Sequence, residues 1–217
     1  MILAAGRGER MRPLTDSCPK PLLQVNGKSL IDYHLESLAA SGITDVVVNT
    51  AWLGEQISAH VGDGSRWGLH VQFSHEGWPA LETGGGIFKA LSMLGNEPFL
   101  VVNGDVFTSW RLSAPQLPPQ WRADSLVHLI LVPNPPHHPR GDFGLDDHLL
   151  TENTTQQFTY SGIGFFHPDL FNGCSGGAFK LAPLLYGAVH KKRATGELFS
   201  GNWSDVGTPE RLASLQQ

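Results

Sequence analysis

The chain has 217 residues, 41% of them hydrophobic and 16% charged, with a formal net charge of −5 at pH 7. This length suffices for one compact core, and no apolar run reaches the roughly 18 to 20 residues that cross a membrane. A pI near 6.0 without a basic stripe disfavours an extended nucleic acid, and two cysteines, Cys18 and Cys174, are too few for a disulfide framework. We therefore expect a cytoplasmic protein with free thiols, and we take a monomer as the working expectation.

A glycine loop with basic neighbours follows the first predicted strand. Residues 1–5 form a short apolar run typical of a buried strand, and Gly6 and Gly8 come directly after it. Glycine permits backbone angles and close approaches that a Cβ would block, so amide groups of such a loop can point at an anion. The basic residues of this segment are Arg7, Arg10, Arg12 and Lys20. The pattern predicts a site for a small polyanion.

Two familiar phosphate-binding loops do not fit this segment. A Rossmann dinucleotide loop would have a third glycine where Met11 stands and a helix that Pro13 would interrupt. A P-loop would end in Gly-Lys-Ser/Thr, which does not occur here. An ordinary glycine-rich turn with a solvated basic rim is the remaining alternative, although the preceding strand and the basic side chains favour the anion site.

Helices and strands alternate through the first half of the chain. Helix 29–41 carries one apolar face, made of Leu30, Ile31, His34, Leu35 and Leu38. The further elements expected are strand 45–49, helix 53–61, strand 69–73, helix 86–94, strand 99–102, and later strands 125–132 and 158–166. The alternation predicts an α/β fold with a parallel sheet covered on both faces, and the later strands predict a mixed sheet in the second half.

Two aspartates are candidates for a metal site. Asp105 follows a buried strand, and ligands of open α/β sheets bind where strands end. Asp205 precedes a predicted helix with Thr208 as N-cap and Pro209 at its first position. Each has a simpler alternative, a turn aspartate for Asp105 and a helix-terminus aspartate for Asp205. Because Mg²⁺ is held by one or two carboxylates together with phosphate oxygens and water, this pair together with a bound triphosphate would imply Mg²⁺ as cofactor.

The order of several motifs resembles a known family. The segment G-x-G-x-R-M-x-P-L-T at 6–15, followed by P-K-P-L at 19–22, resembles the sugar-1-phosphate nucleotidylyltransferases. These enzymes join a nucleoside triphosphate to a sugar 1-phosphate and release pyrophosphate. Segments 81–86, 102–105, 161–163 and 203–208 follow in the family's order, so the resemblance covers essentially the whole chain. It implies a Rossmann-like nucleotidyltransferase fold, with a central mixed, mainly parallel sheet flanked by helices.

The resemblance also implies residue roles. Arg10 would hold the β- and γ-phosphates, Lys20 would lie against the α-phosphate and the sugar phosphate, and Asp105 would complete the catalytic set. Asp105 and Asp205 would bind the metal. The implied nucleotide-binding residues are Ala5, Gly6, Gly8, Glu9, Arg10, Lys20, Glu76, Thr83, Gly84 and Asn103. The implied sugar-binding residues are Gly141, Asp142, Ser161 and Gly162. Residues 84–86 have an alternative as a glycine-rich helix entry, and the adjacent His137 and His138 indicate a surface turn.

Within the family, one group is most similar. Residues 51–54, 62–66, 81–90, 141–143 and 177–185 resemble the uridylyltransferases that act on N-acetylmuramate 1-phosphate in bacterial cell-wall recycling; the chain departs from their pattern at Trp78, Asn153 and 201–202. This implies UTP and N-acetylmuramate 1-phosphate as substrates. It also implies a single domain over 1–217, with a nucleotide-binding half of about 1–110 and a sugar-binding half of about 111–217. The alternatives are GTP with mannose or heptose 1-phosphate, and a non-catalytic nucleotide-binding domain.

Overall fold

The computed structural model describes residues 1–152 and 154–216, so Asn153 and Gln217 lie outside the described part. The strands are β1 (Ile2–Leu3), β2 (Gln24–Val25), β3 (Lys28–Ser29), β4 (Asp45–Thr50), β5 (His70–His75), β6 (Phe99–Asn103), β7 (Val106–Thr108), β8 (Val127–Val132), β9 (Gly144–Asp146), β10 (Leu149–Thr151), β11 (Thr159–Phe166), β12 (Ala194–Leu198) and β13 (Trp203–Asp205). The helices are α1 (Leu30–Ala40), α2 (Gly54–Val61), α3 (Glu82–Leu94), α4 (Ala182–His190) and α5 (Pro209–Ala213).

One large sheet organises the described residues. It has nine strands in the order β5-β4-β1-β6-β11-β8-β12-β10-β9. The pairings β5-β4, β4-β1, β1-β6 and β8-β12 are parallel, and the other four are antiparallel. Only β11 and β10 therefore run against the other seven strands of this sheet. The predicted mixed, mainly parallel α/β sheet is confirmed.

Both faces of the sheet are covered, because successive side chains of each strand point to opposite sides. Val47, Val101 and Leu129 pack in the core that also contains Ile87 of α3 and Leu185 of α4. The alternating positions pack on the other face with Ile31 and Leu35 of α1 and Ile57 of α2; they are Val46, Val48, Leu100, Val102 and Ile130. Burial on both faces explains why these strands read as continuous apolar runs. In the described part of the chain, no helix is both long and apolar enough to cross a bilayer.

The helix boundaries follow the sequence signals closely at α1 and poorly at α3. Helix α1 buries all five residues of its predicted apolar face, and Gly42, with a φ of 80°, lies just beyond its end. The predicted start of the third helix at residue 86 was wrong, since α3 begins at Glu82. Glycine has low helix propensity, but residues 84–86 are all buried in close packing, and this tertiary contact outweighs the propensity.

Candidate active site

A cavity of about 600 Å³ opens at the carboxyl ends of β1, β4, β5 and β6. This is the edge of the sheet at which the sequence predicts a ligand. The predicted site residues that line it are Ala5, Gly6, Gly8, Glu9, Arg10, Lys20, Glu76, Thr83, Asn103 and Asp105. Residues separated by up to 100 positions in the chain therefore meet around one space of the volume that small-molecule sites have.

The glycine loop forms the floor of this cavity. Gly8 has a φ of 66°, and its carbonyl accepts hydrogen bonds from the Met11 amide at 2.9 Å and the Thr15 hydroxyl at 2.8 Å. These bonds fix a short 3-10 turn over Glu9–Met11 in place of a long helix. Gly6 differs, because among the described residues beyond its two chain neighbours no atom lies within 4 Å of where its Cβ would be. The space beside Gly6 is therefore open to the cavity.

Two of the basic residues of this segment hold the loop together. The Arg7 guanidinium donates to the Thr15 carbonyl at 2.9 Å, lies 3.1 Å from Asp16 and stacks 3.7 Å from the ring centre of Trp52. Arg12 donates to the same Asp16 carboxylate at 2.8 Å. Hydrogen bonding from Arg7, followed by that from Arg12, lowers the pKa of Asp16. Asp16 thus neutralises part of the positive charge that the sequence concentrates here.

Arg10 and Lys20 line the cavity together with Arg7. Arg10 is exposed and has no hydrogen bond or ion pair with residues 1–152 or 154–216. Lys20 is only 12% exposed, and its Nζ donates to Oδ2 of Asp105. The Gly104 amide, just before Asp105, donates to the Leu3 carbonyl at 2.8 Å. This bond ties the end of β6 to β1, so the Lys20–Asp105 pair is held at the sheet edge.

Asn49 is a cavity residue that sequence reasoning missed. Its Oδ1 accepts the Ala4 amide at 2.7 Å, and its Nδ2 donates to Oε1 of Glu76 at 2.6 Å. The other oxygen of Glu76 accepts the Leu81 amide at 2.8 Å. The chain of bonds fixes the wall between the first strand and α3. The sequence did contain a signal, because Asn49 directly follows the buried valines 46–48 near the carboxyl end of β4.

The three glycines at 84–86 lie within α3. A Cβ on Gly84 would come 2.6 Å from the Phe179 ring, and the Gly85 amide donates to the Phe179 carbonyl at 3.1 Å. A Cβ on Gly86 would overlap Oε1 of Glu76. Gly84 therefore faces Phe179 and does not line the cavity, whereas its neighbour Thr83 does. The glycines let α3 pack close to its surroundings.

The two predicted metal ligands lie on neighbouring chain segments. Strand β13 pairs with β7, and the Val206 amide donates to the Asp105 carbonyl at 2.8 Å. The Asp205 side chain contacts Arg211, with Nη1 and Oδ2 2.5 Å apart. The predicted cap of α5 is confirmed, since the Thr208 hydroxyl accepts the Arg211 amide at 3.4 Å. Within the described residues, no group of three or more His, Cys, Asp or Glu is placed to hold a metal.

Two of the predicted sugar-binding residues lie beside Asn103. The pairing of β11 with β8 shifts register between Tyr160 and Ile163, which makes a bulge at Ser161 and Gly162. Gly162 has a φ of 81°, and a Cβ on it would come 2.6 Å from the side-chain nitrogen Nδ2 of Asn103. The Ser161 carbonyl accepts the Trp203 indole N–H at 2.9 Å. The bulge thus joins β13 to the end of β6.

The other two predicted sugar-binding residues lie beside the beginning of β11. Asp142 accepts the Tyr160 amide at 2.8 Å through Oδ2, and its Oδ1 lies 3.1 Å from Nε2 of His138. Gly141 has a φ of 70°, and a Cβ on it would come 2.7 Å from the Asn134 side-chain oxygen. Neither residue lines the cavity, and neither do Ser161 and Gly162.

The structure defines an α/β protein with a cavity at the strand ends that basic side chains line, and residues 1–148 match the family model described as nucleotidyl transferase. The chain belongs to this family, as the sequence predicts. It is 50% identical to the N-acetylmuramate alpha-1-phosphate uridylyltransferase of Neisseria meningitidis serogroup B, over all of this chain and 96% of that protein. The protein of the same name from Caulobacter vibrioides is 32% identical over 97% of this chain and 92% of its own length.

Other similarities are shorter or more distant. The mannose-1-phosphate guanylyltransferase of Mycobacterium tuberculosis is 37% identical over 62% of this chain and 38% of its own length. A crystal structure from Bacillus anthracis, described as a glucose-1-phosphate thymidylyltransferase in complex with sucrose, superposes with a TM-score of 0.84. It covers 99% of this chain and 92% of its own at 19% identity, which confirms the fold.

Proposed function

We propose that this protein transfers a uridylyl group from UTP to N-acetylmuramate 1-phosphate, giving UDP-N-acetylmuramate and pyrophosphate, in cytoplasmic peptidoglycan recycling. The two relatives that match nearly full length and carry this activity in their names support the choice of substrates. The observation that carries the proposal is the cavity at the strand ends, with an unpartnered Arg10 and the Lys20–Asp105 pair in its lining. We assign the nucleotide to the half of about 1–110 and the sugar to about 111–217.

Catalysis of this reaction depends on positioning the substrates and neutralising their charge more than on proton transfer. An oxygen of the sugar phosphate forms a bond to the α-phosphorus of UTP while the bond from that phosphorus to the pyrophosphate oxygen breaks. The attacking oxygen is already an anion near neutral pH, so the chain need not supply a general base. Arg10 would bind the β- and γ-phosphates and stabilise the leaving pyrophosphate. Lys20 would contact the α-phosphate and the incoming sugar phosphate.

The donor set fits a divalent cation. Asp105 and Asp205 bring two carboxylates from directly bonded segments, and Mg²⁺ takes its remaining ligands from phosphate oxygens and water. When bound, Mg²⁺ would supply charge neutralisation at the phosphates and help to orient them. Both carboxylates have cationic partners in the structure, Lys20 on Asp105 and Arg211 on Asp205. Each partner must therefore share or release its carboxylate when the substrates bind.

We assign recognition of the base to one wall of the cavity and recognition of the sugar to residues outside its lining. Glu76 and Thr83 line the wall beside α3 and are proposed to border the nucleobase, with Asn103 and Ala5 facing the nucleotide. We place the sugar along β11, from the bulge at Ser161 and Gly162 toward Gly141 and Asp142. The bulge already contacts Asn103, so a sugar there would lie next to the nucleotide site.

The proposal is tested by pairing UTP, GTP, dTTP and ATP each with several sugar 1-phosphates and measuring pyrophosphate release with and without Mg²⁺. We expect release to be fastest with UTP and N-acetylmuramate 1-phosphate and to require Mg²⁺. A preference for GTP with mannose or heptose 1-phosphate would overturn the choice of substrates, and the partial match to a mannose-1-phosphate guanylyltransferase makes this the second candidate. Release with no pair would leave a non-catalytic nucleotide-binding domain.

A further inference from the structure

Arg211 lies where the sequence shows no functional motif, yet it contacts one of the two proposed metal ligands. Its Nη1 is 2.5 Å from Oδ2 of Asp205 and 2.8 Å from Nε2 of His137. The same His137 nitrogen lies 3.1 Å from Oδ1 of Asp205. Arg211 is 19% exposed and Asp205 26%, so this pair is shielded from solvent more than most of the surface ion pairs. One carboxylate is thus surrounded by two basic side chains.

The path of the Arg211 side chain leads past the cavity wall. Residue 211 is in the first turn of α5, and its guanidinium passes over Gly207, which lines the cavity. A Cβ on Gly207 would overlap Nη2 of Arg211. The absence of a side chain at Gly207 therefore lets Arg211 reach Asp205 from the side of the nucleotide site.

We infer that Arg211 is a positioning residue that occupies Asp205 in the metal-free protein and competes with a divalent cation for this carboxylate. The inference rests on the proposed function, which assigns Asp205 to a metal. A carboxylate that already contacts the Arg211 guanidinium attracts a further cation weakly, because this positive group repels it. Once Arg211 leaves Asp205, its guanidinium remains beside Gly207, where it can donate hydrogen bonds to an anionic group of a substrate. Cation binding at Asp205 and anion binding at Arg211 are then favourably coupled.

The test measures binding of Mn²⁺ alone by the intensity of the free-ion EPR signal during titration of the full chain. Arg211→Gln removes the competing charge, and Arg211→Lys keeps it. Gly207→Ala leaves Arg211 in the chain but displaces its guanidinium, and this glycine has no positive φ that would strain an alanine.

A matched control exists elsewhere on the surface. Arg66 lies 3.2 Å from Asp32, whose Oδ1 is also 2.8 Å from Nε2 of His60. This triad has the same composition as that of Arg211, Asp205 and His137, but it contains no proposed metal ligand. Arg66→Gln should therefore leave Mn²⁺ binding unchanged.

We expect Arg211→Gln and Gly207→Ala to tighten Mn²⁺ binding roughly tenfold, equivalent to about 1.4 kcal/mol, and Arg211→Lys to stay near the wild-type affinity. Adding Asp205→Asn to Arg211→Gln should abolish the gain. Wild-type or weaker binding in Arg211→Gln, or a gain that survives Asp205→Asn, overturns the inference. Pyrophosphate release by the wild-type protein tests the proposed function separately. An active Mg²⁺-dependent enzyme without tighter binding in Arg211→Gln refutes the inference alone.

Discussion

Substituting alanine at two glycines of the N-terminal loop separates the demands of the fold from those of the ligand. Gly6→Ala adds a methyl group where, beyond its two chain neighbours, no described atom lies within 4 Å, at a backbone position without positive φ. We expect the melting temperature to rise by about 1–4 °C, since the folded chain accepts this methyl group without strain and the unfolded chain loses conformational freedom. The same methyl group intrudes on the space of the cavity. An intrusion that costs about 1–3 kcal/mol raises the KM for UTP between about fivefold and about 150-fold.

Gly8→Ala is the matched comparison. Gly8 has a φ of 66°, and a Cβ on it would come 3.0 Å from Cγ2 of Thr15. The left-handed backbone costs a non-glycine residue about 1–2 kcal/mol, and each kcal/mol lowers the melting temperature of a chain of this size by about 2–4 °C. We therefore expect Gly8→Ala to melt about 2–8 °C lower.

The assay combines thermal unfolding of both variants with steady-state pyrophosphate release at varied UTP and saturating N-acetylmuramate 1-phosphate. An unchanged KM for UTP in Gly6→Ala would show that the nucleotide does not approach this part of the loop. A larger loss of melting temperature in Gly6→Ala than in Gly8→Ala would show that the open space beside Gly6 is misassigned.

Four further predictions concern individual side chains. Arg10→Gln should lower turnover about a hundredfold without changing the melting temperature, because Arg10 has no partner in the described chain. Asp105→Asn should fold, by circular dichroism, but lose Mg²⁺-dependent pyrophosphate release by a similar factor; full activity would remove Asp105 from the metal site. Asn49→Ala leaves two polar partners unsatisfied and should destabilise the fold by about 1–3 kcal/mol in urea denaturation. Burial lowers the pKa of His34 and of His128 to about 4. As pH falls below about 6.5, each of these histidines is protonated in the unfolded chain but stays neutral in the folded chain. The free energy of unfolding should therefore fall by about 2 kcal/mol per histidine between pH 7 and 5. Replacing either with Gln should reduce that loss by this amount.

The sequence predicts those parts of the fold that local patterning decides. The apolar face of α1 and the buried runs of β4 and β6 recur at the expected positions because period and length alone distinguish them. The Thr208 cap was also predictable, since a threonine before Pro209 is a local signal. The start of α3 was not, because residues 84–86 have poor helix propensity and become helical through contacts with residues far along the chain.

The polar pairing of the site escaped sequence reasoning for the same reason. Asn49 reads as the last residue of a strand, and nothing nearby in the sequence shows that it joins Ala4 to Glu76. The basic loop reads as locally positive, whereas Asp16 pairs with both Arg7 and Arg12 and neutralises part of their charge. Such pairs depend on which side chains the fold brings within about 3 Å, and a list of charges along the chain does not contain that information.

The charge pairs at the sheet edge indicate how the site becomes ready for its substrates. Lys20 contacts Asp105 and Arg211 contacts Asp205, so in the free protein each proposed metal ligand is balanced by a cation from the chain. A divalent cation alone would face those two cations, and a triphosphate alone would face the two carboxylates. If both bound together, Asp105 and Asp205 would hold the metal while Lys20 and Arg211 would be free to contact the phosphates, so every charge would keep a partner. We therefore expect metal and nucleotide to strengthen each other's binding, by equal factors as linkage requires.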